Sequence, residues 1–242
     1  MKLREAPVLV TGGGRRIGAA CVLGLAEAGA KVVIHHGRSE REAESLCRQI
    51  QAQGGEAATV GADLSQPQQV LALMEQACSF FGPLHLLVNS AAIFNPGLFQ
   101  DSDLSQWQAH LDINLTAPFI LMQRFYRQLP PDQSGHIINF IDQRISRPRP
   151  GHVAYTTAKS ALWTLTQMAA LEMAPRIQVN AIAPGPILPA PDQSPEAFAS
   201  IAKATPLARP GSPADIVRAL IFLLEQPYIT GEMIRVDGGE HL

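Results

Sequence analysis

The sequence lacks the features that mark secreted and membrane-spanning chains. Its three cysteines, Cys21, Cys47 and Cys78, are odd in number and widely spaced, which suits neither a disulfide framework nor a zinc site. No apolar run approaches the length of about eighteen residues that spans a membrane, and the apolar run ahead of the first glycines is too short for a signal peptide. We therefore expect a cytoplasmic protein with core cysteines, no metal site and no membrane contact.

An excess of charge of one sign is lacking as well. Nineteen Lys and Arg residues stand against twenty-one Asp and Glu residues, so the formal net charge at pH 7 is -2. Nucleic acids and anionic membranes are bound through concentrated positive charge, and the sequence contains no long basic block. We expect no nucleic-acid partner, and a small molecule as the substrate.

What the sequence does have is a regular alternation of short apolar runs with longer helical patterns, which is typical of a parallel sheet with covering helices. We predict strands at 7–11, 31–35, 56–62, 84–89, 136–141, 177–182 and 232–236. Helices are predicted at 16–28, 39–53, 66–81, 103–128, 153–174 and 212–225. The expected fold class is α/β: one Rossmann-type doubly wound domain over residues 1–242, with a seven-stranded parallel sheet and helices on both faces.

One proline-rich segment interrupts this regularity. Residues 184–213 hold eight of the nineteen prolines, and we interpret them as a long loop. A loop of this length in a compact domain is usually functional or poorly ordered. Because it follows the carboxyl end of a predicted strand, where open α/β sheets bind ligands, we predict a substrate lid at about 184–211.

The stretch TGGGRRIG, residues 11–18, joins the first predicted strand to the first predicted helix. Gly12, Gly13 and Gly14 allow a tight turn and a close backbone approach, and the helix N-terminus offers free N–H groups to an anion. Such a turn also occurs without any ligand, but its place between strand and helix favours a bound nucleotide.

The end of the second strand discriminates between two nicotinamide cofactors. An acidic residue there holds the ribose hydroxyl of NAD, whereas an arginine accommodates the 2'-phosphate of NADP. The sequence HHGRSERE places Arg38 and Ser39 at this point, with the first acid at Glu40, which predicts NADPH or NADP as the cofactor. Ser39 also has an interpretation without a ligand, as a helix N-cap that Glu42 completes to a capping box, and the two interpretations are compatible.

Tyr155 and Lys159 stand at positions i and i+4 of a predicted helix and therefore share a face. A lysine beside a tyrosine stabilises the phenolate, so we expect the pKa of Tyr155 to be lowered from about 10 toward neutral pH, where proton transfer is efficient. The YxxxK spacing is common by chance. Together with the glycine turn it predicts acid–base catalysis, and Asp142 adds a carboxyl group upstream of the tyrosine.

Further segments accompany these motifs: ADL at 62–64, NSAA at 89–92, LDINLTAPF around Asn114, NAIAPG at 180–185 and YITGEMIRVDGG near the end. With them the chain resembles the short-chain dehydrogenase/reductase superfamily over essentially its whole length. The resemblance implies that Tyr155 is the general acid, that Lys159 binds the nicotinamide ribose, and that Asn114 helps to hold a proton-relay water. Without it, Asn114 would be interpreted as a buried amide that satisfies local backbone. The implied cofactor contacts are Gly12, Arg15, Arg16, Ile17, Gly18, Arg38, Ser39, Asp63, Leu64, Asn89, Tyr155, Lys159, Pro184, Gly185 and Ile187.

Two positions depart from the commonest pattern of that superfamily, which has glycine at the place of Arg16 and serine at the place of Asp142. A serine hydroxyl donates a hydrogen bond to a carbonyl, whereas an ionised aspartate only accepts one. Asp142 therefore suits a substrate with N–H donors or, if protonated, one whose nitrogen receives a proton. In these departures, in its Arg38–Ser39 pair and in Phe94, the chain is similar to the pteridine reductase branch, where such a phenylalanine stacks the pterin against the nicotinamide. The substrate site so implied consists of Arg16, Phe94, Asp142 and Tyr155.

These residues also have plainer interpretations. Phe94 can be a loop residue that caps the core, and Asp142 can form an ion pair with Arg144 or Arg147. The segment PILPAP after Gly185 differs from the branch, so its lid contacts are not carried over.

The similarity to the pteridine reductase branch implies an NADPH-dependent reductase that transfers hydride to a ring C=N bond of a dihydropterin, a pterin or dihydrofolate. Two other functions remain open. One is a carbonyl reductase, for example of 3-oxoacyl thioesters, whose acidic carrier protein would face Arg124, Arg127, Arg144, Arg147 and Arg149; the absence of the serine argues against it. The other is a non-catalytic nucleotide sensor, against which the joint presence of Tyr155, Lys159 and Asn114 argues. For a pteridine reductase or a carbonyl reductase, the resemblance implies a homotetramer that pairs the helices at 103–128 and 153–174.

Overall fold

The computed structural model of the chain describes residues 3–190 and 193–242. Its centre is a sheet of seven parallel strands in the order β3-β2-β1-β4-β5-β6-β7. The strands are β1 Pro7–Thr11, β2 Lys31–His36, β3 Ala57–Gly61, β4 Leu86–Asn89, β5 Gly135–Phe140, β6 Ile177–Pro184 and β7 Met233–Val236. The predicted α/β fold with a seven-stranded parallel sheet is confirmed.

Helices cover both faces of the sheet. They are α1 Arg16–Glu27, α2 Glu40–Ala52, α3 Pro67–Phe81, α4 Leu104–Leu111, α5 Ala117–Gln128, α6 Val153–Met173, α7 Pro195–Lys203 and α8 Pro213–Glu225. Apolar stripes of α3, α5 and α6 pack on one face, and those of α1, α2 and α8 pack on the other. Within the described residues, no helix is both long and apolar enough to cross a bilayer.

One predicted helix is interrupted. The continuous helix expected at 103–128 is α4, then a π-helical turn at Asp112–Thr116, then α5. A π-helical turn contains more residues than an α-helical turn. The spacing of the apolar residues in 103–128 therefore matches the α-helical period on average but not at every position, which explains why one continuous helix was predicted. Such turns are frequent at functional sites, and this one contains the buried Asn114.

The proline-rich segment also differs from the prediction, since it is not a continuous loop. Residues Pro195–Lys203 form α7, whose first position is a proline. Ser194 caps this helix by accepting a hydrogen bond from the Ala197 N–H at 3.2 Å. A proline suits the first helical position because the N–H that it lacks would have no partner there. The predicted lid therefore includes a capped helix, and its role as a lid stays a prediction.

The cysteines agree with the prediction in two of three cases. Cys21 and Cys47 are buried, whereas Cys78 is only partly buried. Burial raises the pKa of the Cys21 thiol to about 12, so this side chain behaves as a small apolar residue.

The strand order reverses between β1 and β4, the two neighbours from which the sheet extends in opposite directions. In an open parallel sheet, the carboxyl ends of the strands at such a point border a crevice that binds ligands. The loops after β1, β2, β4 and β5 open at this edge, and they carry most of the residues singled out in the sequence.

Candidate active site

The glycine turn between β1 and α1 packs closely against the loop that follows β4. Gly12 has φ of 64°, a left-handed conformation that favours glycine, and a Cβ on it would lie 2.9 Å from the Cα of Ala91. A Cβ on Gly18 would overlap the carbonyl oxygen of Gly12. Thr11 fixes the same loop, because its Oγ1 accepts the Ser90 and Ala91 N–H groups at 3.0 and 3.1 Å. The N-terminus of α1 is thereby left open to an anion.

His35 supports this turn from β2, a role that the sequence did not reveal. The buried imidazole accepts the Gly12 N–H at Nδ1, 3.1 Å away, and its Nε2 lies 3.0 Å from the Ala62 carbonyl oxygen. Since Nδ1 accepts, the proton of the neutral ring sits on Nε2 and is donated to Ala62. Burial lowers the pKa of His35 to about 4. The ring therefore stays neutral at pH 7 and ties the glycine turn to the ends of β2 and β3.

The predicted 2'-phosphate position lies at the end of β2. Arg38 is exposed there, and Ser39 is buried against the glycine turn, where a Cβ on Gly14 would come within 2.9 Å of its Oγ. The predicted capping box is wrong: Ser39 makes no side-chain bond to α2, and Glu42 pairs with Arg15 at 3.8 Å. The helix therefore does not use the Ser39 hydroxyl.

The residues after β3 were expected along the adenine. Leu64 is buried in the core, and Asp63 is exposed. The Ser65 N–H and hydroxyl donate to Asp63 Oδ1 at 2.9 and 2.8 Å and lower the pKa of the carboxyl, to which the charge of Arg38 adds a smaller effect. Asp63 and Arg38 thus border the same part of the crevice.

Two buried asparagines lie behind this crevice. Asn114 donates to the Ile93 carbonyl and accepts the Ile93 N–H, both at 3.0 Å, which agrees with the plainer interpretation of a buried amide; its part in a proton relay stays a prediction. Asn89 Nδ2 donates to Asn139 Oδ1 at 2.8 Å. Asn89 Oδ1 is buried, and none of the described residues gives it a hydrogen bond. Asn89 Oδ1 is therefore an unsatisfied acceptor at the end of β4, and its contact with the cofactor stays a prediction.

The tyrosine predicted to be catalytic is bonded to the unusual carboxyl group. Tyr155 on α6 is buried, and its hydroxyl donates to Asp142 Oδ2 at 2.8 Å. Asp142 Oδ1 accepts the Arg144 N–H at 2.7 Å and so caps the 3-10 turn at Gln143–Ile145. The contact with Arg144 is through its backbone, so Asp142 is not simply the ion-pair partner that one interpretation gave it.

Lys159 lies one helical turn below the tyrosine. Its buried Nζ donates to the Phe140 carbonyl at 2.6 Å and lies 5.9 Å from the centre of the Tyr155 ring. Burial lowers the pKa of Lys159 to about 8, against the charge of Asp142, so the group is mostly charged at pH 7. The expected lowering of the pKa of Tyr155 is not seen: burial raises it well above 10, and the charge and hydrogen bond of Asp142 add to the effect. A phenol that donates to a carboxylate holds its proton.

Phe94 stands at the mouth of the site, with 40% of its surface exposed. Its ring meets Tyr155 edge-on, with centroids 4.7 Å apart, and stacks on His152 at 3.9 Å and 11°. The Arg144 guanidinium lies 5.8 Å from the same ring. Phe94 is therefore an aromatic wall beside the tyrosine, and the interpretation as a core cap does not fit. His152 was not foreseen, because nothing in the sequence relates the loop after β4 to the start of α6.

Arg16 connects the glycine turn to the segment after β6. Its φ is 57°, in a region that glycine occupies without strain. The Nη2 group donates to the Pro189 carbonyl at 2.7 Å and lies 3.5 Å from the Leu188 carbonyl oxygen. Ile17, which follows on α1, is half-buried against the core. Both residues lie at the crevice entrance, where the cofactor was predicted.

The base of the segment after β6 is fixed by its own contacts. Pro184 ends β6, and the Gly185 N–H donates to the Val236 carbonyl at 3.0 Å. Ile187 is buried in the core. These three residues therefore lie in the packed base of the segment, and their contact with the cofactor stays a prediction.

Fold and site together define an NAD(P)-dependent oxidoreductase: a glycine turn for phosphate at the switch point of a parallel sheet, with a buried tyrosine, lysine and carboxyl group beside it. A family model described as enoyl-(acyl carrier protein) reductase matches residues 13–241. The chain belongs to this family and, with it, to the short-chain dehydrogenase/reductase superfamily.

Individual relatives point to two chemistries. The chain is 36% identical to a 3-oxoacyl-[acyl-carrier-protein] reductase from Synechocystis, over 96% of this chain and 95% of that protein. It is 32% identical to a short-chain type dehydrogenase/reductase from Picea abies, over 96% and 91%. Among solved structures, FolM alternative dihydrofolate reductase 1 from Brucella canis, complexed with NADP, superimposes with a TM-score of 0.96 at 42% identity, over 99% of this chain and 95% of that one.

Proposed function

We propose that the protein is an NADPH-dependent pteridine reductase that transfers hydride to a ring C=N bond of a dihydropterin, a pterin or dihydrofolate. The observation that carries the proposal is the hydrogen bond between the Tyr155 hydroxyl and Asp142 Oδ2. It places an acceptor-only carboxylate beside the proton donor, which suits a substrate rich in N–H groups better than a carbonyl substrate. The similarity to FolM alternative dihydrofolate reductase 1 supports the same substrate class.

The cofactor assignment rests on the fit of the crevice to a phosphorylated dinucleotide. The glycine turn leaves the α1 N-terminus open, Arg38 and Ser39 lie where a 2'-phosphate would bind, and Asn89 Oδ1 lacks a donor among the described residues. NADPH, when bound, supplies the hydride. Pro184, Gly185 and Ile187 would border it on the side of β6.

The proton chemistry follows from the contacts of Asp142. A substrate N–H that binds Asp142 Oδ2 takes the place of the Tyr155 hydroxyl, which is then free to point at the ring nitrogen that receives a proton. The raised pKa of Tyr155 keeps that proton in place until hydride arrives at the neighbouring carbon. The charged Lys159 below then stabilises the phenolate, and Asn114 would hold the water through which the proton is replaced.

Phe94 would orient the ring. Its ring is partly exposed and lies beside Tyr155, so a pteridine that packs against it would lie within reach of both Tyr155 and Asp142. Offset stacking contributes about 0.5–1.5 kcal/mol beyond buried area. His152 supports Phe94 by stacking on it, and Arg16 would meet the pyrophosphate and the ring edge.

A carbonyl reductase acting on 3-oxoacyl thioesters is the second candidate. It is favoured by the 36% identity to the Synechocystis reductase. The carboxylate of Asp142 argues against it, because an oxygen that only accepts hydrogen bonds repels a carbonyl oxygen.

Purified protein and NADPH separate the two candidates. We expect NADPH oxidation with 7,8-dihydrobiopterin or dihydrofolate and little with an acetoacetyl thioester. Asp142→Ser should lower kcat/KM for the pteridine by at least about tenfold, since a charge-assisted hydrogen bond is lost. The serine can still cap the turn at Gln143–Ile145, so NADPH affinity should not change. Unimpaired pteridine turnover in this variant would show that Asp142 has no special part.

We also propose that the enzyme forms a homotetramer through α5 and α6. An open apolar groove on these helices is lined by Leu115, Thr116, Phe119, Ala161, Thr164, Leu165 and Met168. Phe119 and Met168 are each about half exposed, at 46% and 51%, which is typical of a surface that another subunit covers. Light scattering of the purified protein, with Phe119→Lys as the disrupting variant, tests this assembly.

A further inference from the structure

Asp142 stands near the start of the loop that joins β5 to α6. The later part of this loop, residues 146–150, is exposed and forms neither helix nor strand. Exposed loop backbone of this kind opens easily unless other parts of the chain hold it. The proposed reaction requires Asp142 to stay within hydrogen-bond distance of Tyr155, so the contacts that hold the loop bear on the reaction.

Strand β7 and the segment after it hold this loop from one side. Arg235 Nη2 donates to Ser146 Oγ at 3.1 Å. Arg149 Nη1 forms an ion pair with Glu240 Oε1 at 3.1 Å. Only 10% of the Glu240 side chain is exposed, against 41% of the Arg149 side chain. The pair is thus partly withdrawn from water and is screened less than an ion pair at the surface.

Glu240 is itself held in place by a tight turn that begins at Asp237. The Glu240 N–H donates to the Asp237 carbonyl oxygen at 3.2 Å. The buried Asp237 carboxylate accepts the Gly239 N–H at 2.9 Å and the His241 N–H at 3.1 Å. A Cβ on Gly239 would lie 2.9 Å from the Pro206 side chain, so the turn packs closely on the end of the segment after β6. Glu240 therefore offers Arg149 a partner whose backbone is fixed.

Arg144 connects this ion pair to Asp142. The Arg144 Nη1 group donates to the Arg149 carbonyl oxygen at 3.3 Å, and the Arg144 N–H donates to Asp142 Oδ1 at 2.7 Å. Burial raises the pKa of Glu240, the charge of Arg149 lowers it, and the charge of Asp142 raises it further. Glu240 and Asp142 therefore lie close enough to repel each other, and the two arginines offset this repulsion.

We propose that Glu240 and Arg149 are positioning residues that hold the loop after β5 so that Asp142 stays within reach of the Tyr155 hydroxyl. The inference rests on the proposed function for the part that it gives Asp142 in the reaction. Removal of either charge leaves the other without its partner and frees the loop. Because a small displacement of a reacting group is costly, pteridine turnover should then fall.

A double-mutant cycle tests the pair, with NADPH and 7,8-dihydrobiopterin as substrates. Arg149→Met and Glu240→Leu each remove one charge and keep a side chain of similar size. Each should lower kcat/KM for the pteridine about fivefold, and the double variant should be no worse than the more impaired single variant, because the two residues act as a unit. Arg149→Lys keeps the charge and should retain more activity. NADPH affinity should not change, since the phosphate turn lies elsewhere.

A matched control removes an ion pair that has no contact with the loop. Arg48 and Glu44 form an exposed pair at 3.6 Å on α2. The double variant Arg48→Met/Glu44→Leu should leave kcat/KM for the pteridine unchanged.

Amide hydrogen exchange reports on the position of the loop without any substrate. The N–H groups of residues 144–146 donate within the turn that Asp142 caps. Their exchange should be about tenfold faster in Arg149→Met and in Glu240→Leu. The Ile141 N–H donates to the Ile182 carbonyl oxygen inside the sheet, and its exchange should not change.

Faster exchange at 144–146 together with non-additive losses of kcat/KM would support the positioning role. A lower free energy of unfolding with unchanged exchange and unchanged kcat/KM would overturn it, because the pair would then be merely structural. Losses that add up in the double variant would overturn it too. If the unaltered protein reduces no pteridine, the proposed function fails, and exchange at 144–146 alone decides whether Glu240 and Arg149 position the loop.

Discussion

The buried imidazole of His35 makes the free energy of unfolding depend on pH between the folded-state and unfolded-state pKa values of this side chain. The unfolded chain protonates this histidine at its ordinary pKa of 6.5, whereas burial holds the folded-state pKa near 4. Each pKa unit corresponds to about 1.36 kcal/mol, so the difference is worth about 3 kcal/mol of folding free energy. The contribution is complete above pH 6.5 and is lost as the pH falls from 6.5 toward 4, because only the unfolded chain takes up the proton in that range.

Two substitutions at this position separate the proton effect from the hydrogen bonds. Asn keeps an acceptor at the place of Nδ1 for the Gly12 N–H, and Gln places its amide near Nε2 for the Ala62 carbonyl. Neither titrates. Urea unfolding followed by circular dichroism measures the free energy of unfolding at pH 7 and at pH 4. The decrease between these two pH values should be about 3 kcal/mol smaller in both variants than in the unaltered protein. His136, whose pKa burial also lowers to about 4, contributes separately and serves as a comparison through His136→Asn.

The same variants report on the phosphate turn. Only His35→Asn retains the bond that fixes the Gly12 N–H, so His35→Gln should bind NADPH about five- to tenfold more weakly, as expected for one lost hydrogen bond. Fluorescence titration at pH 7 measures this difference. Equal pH dependence of unfolding in His35→Asn and the unaltered protein would refute the assignment of the titration to His35. Equal NADPH affinities of the two variants would refute the link to the turn.

Two further predictions concern the mouth of the site. Because Arg16 has φ of 57°, Arg16→Gly removes backbone strain and Arg16→Ala keeps it. Urea unfolding should therefore find the Ala variant about 1 kcal/mol less stable than the Gly variant. Similar free energies of unfolding for the two variants would contradict the strain. Phe94→Ala should raise KM for dihydrobiopterin about tenfold through lost stacking and buried area. In Phe94→Leu, which keeps an apolar side chain, the rise should be smaller, and an unchanged KM in both variants would remove Phe94 from the substrate site.

The sheet could be predicted from the sequence because its strands are buried on both faces. The runs VLV at 8–10, VVI at 32–34 and LLV at 86–88 are buried throughout, so they stand out as uninterrupted apolar segments. Burial of the strands on both faces is also the reason why the role of His35 could not be predicted. A polar residue at the end of such a run looks like the point where a strand leaves the core, and only the fold shows that Gly12 and Ala62 meet it there.

Helix α7 was missed although its local signals were present. Ser194, the proline at the first helical position and Lys203 in the last turn form a complete set of start and stop residues. The density of prolines around them outweighed these signals in the prediction. The Asp142–Tyr155 bond lay beyond reach for another reason: a strand end and a helix start are related by the packing of α6 on the sheet, and no sequence spacing determines that distance.

Asp142 shows why a change at one catalytic position has to satisfy the fold as well. One oxygen of the carboxyl group caps the turn at Gln143–Ile145 by accepting the Arg144 N–H, and the other accepts the Tyr155 hydroxyl. A serine has one hydroxyl oxygen for both tasks, so capping the turn would draw it away from the tyrosine. The carboxyl group performs both at once, and this leaves Tyr155 protonated before any substrate arrives. Specificity for a nitrogen heterocycle would then arise at Asp142 Oδ2. An N–H donor of the substrate can replace the Tyr155 hydroxyl there and leaves the oxygen with a hydrogen bond, whereas a carbonyl oxygen of a substrate would be repelled by Oδ2.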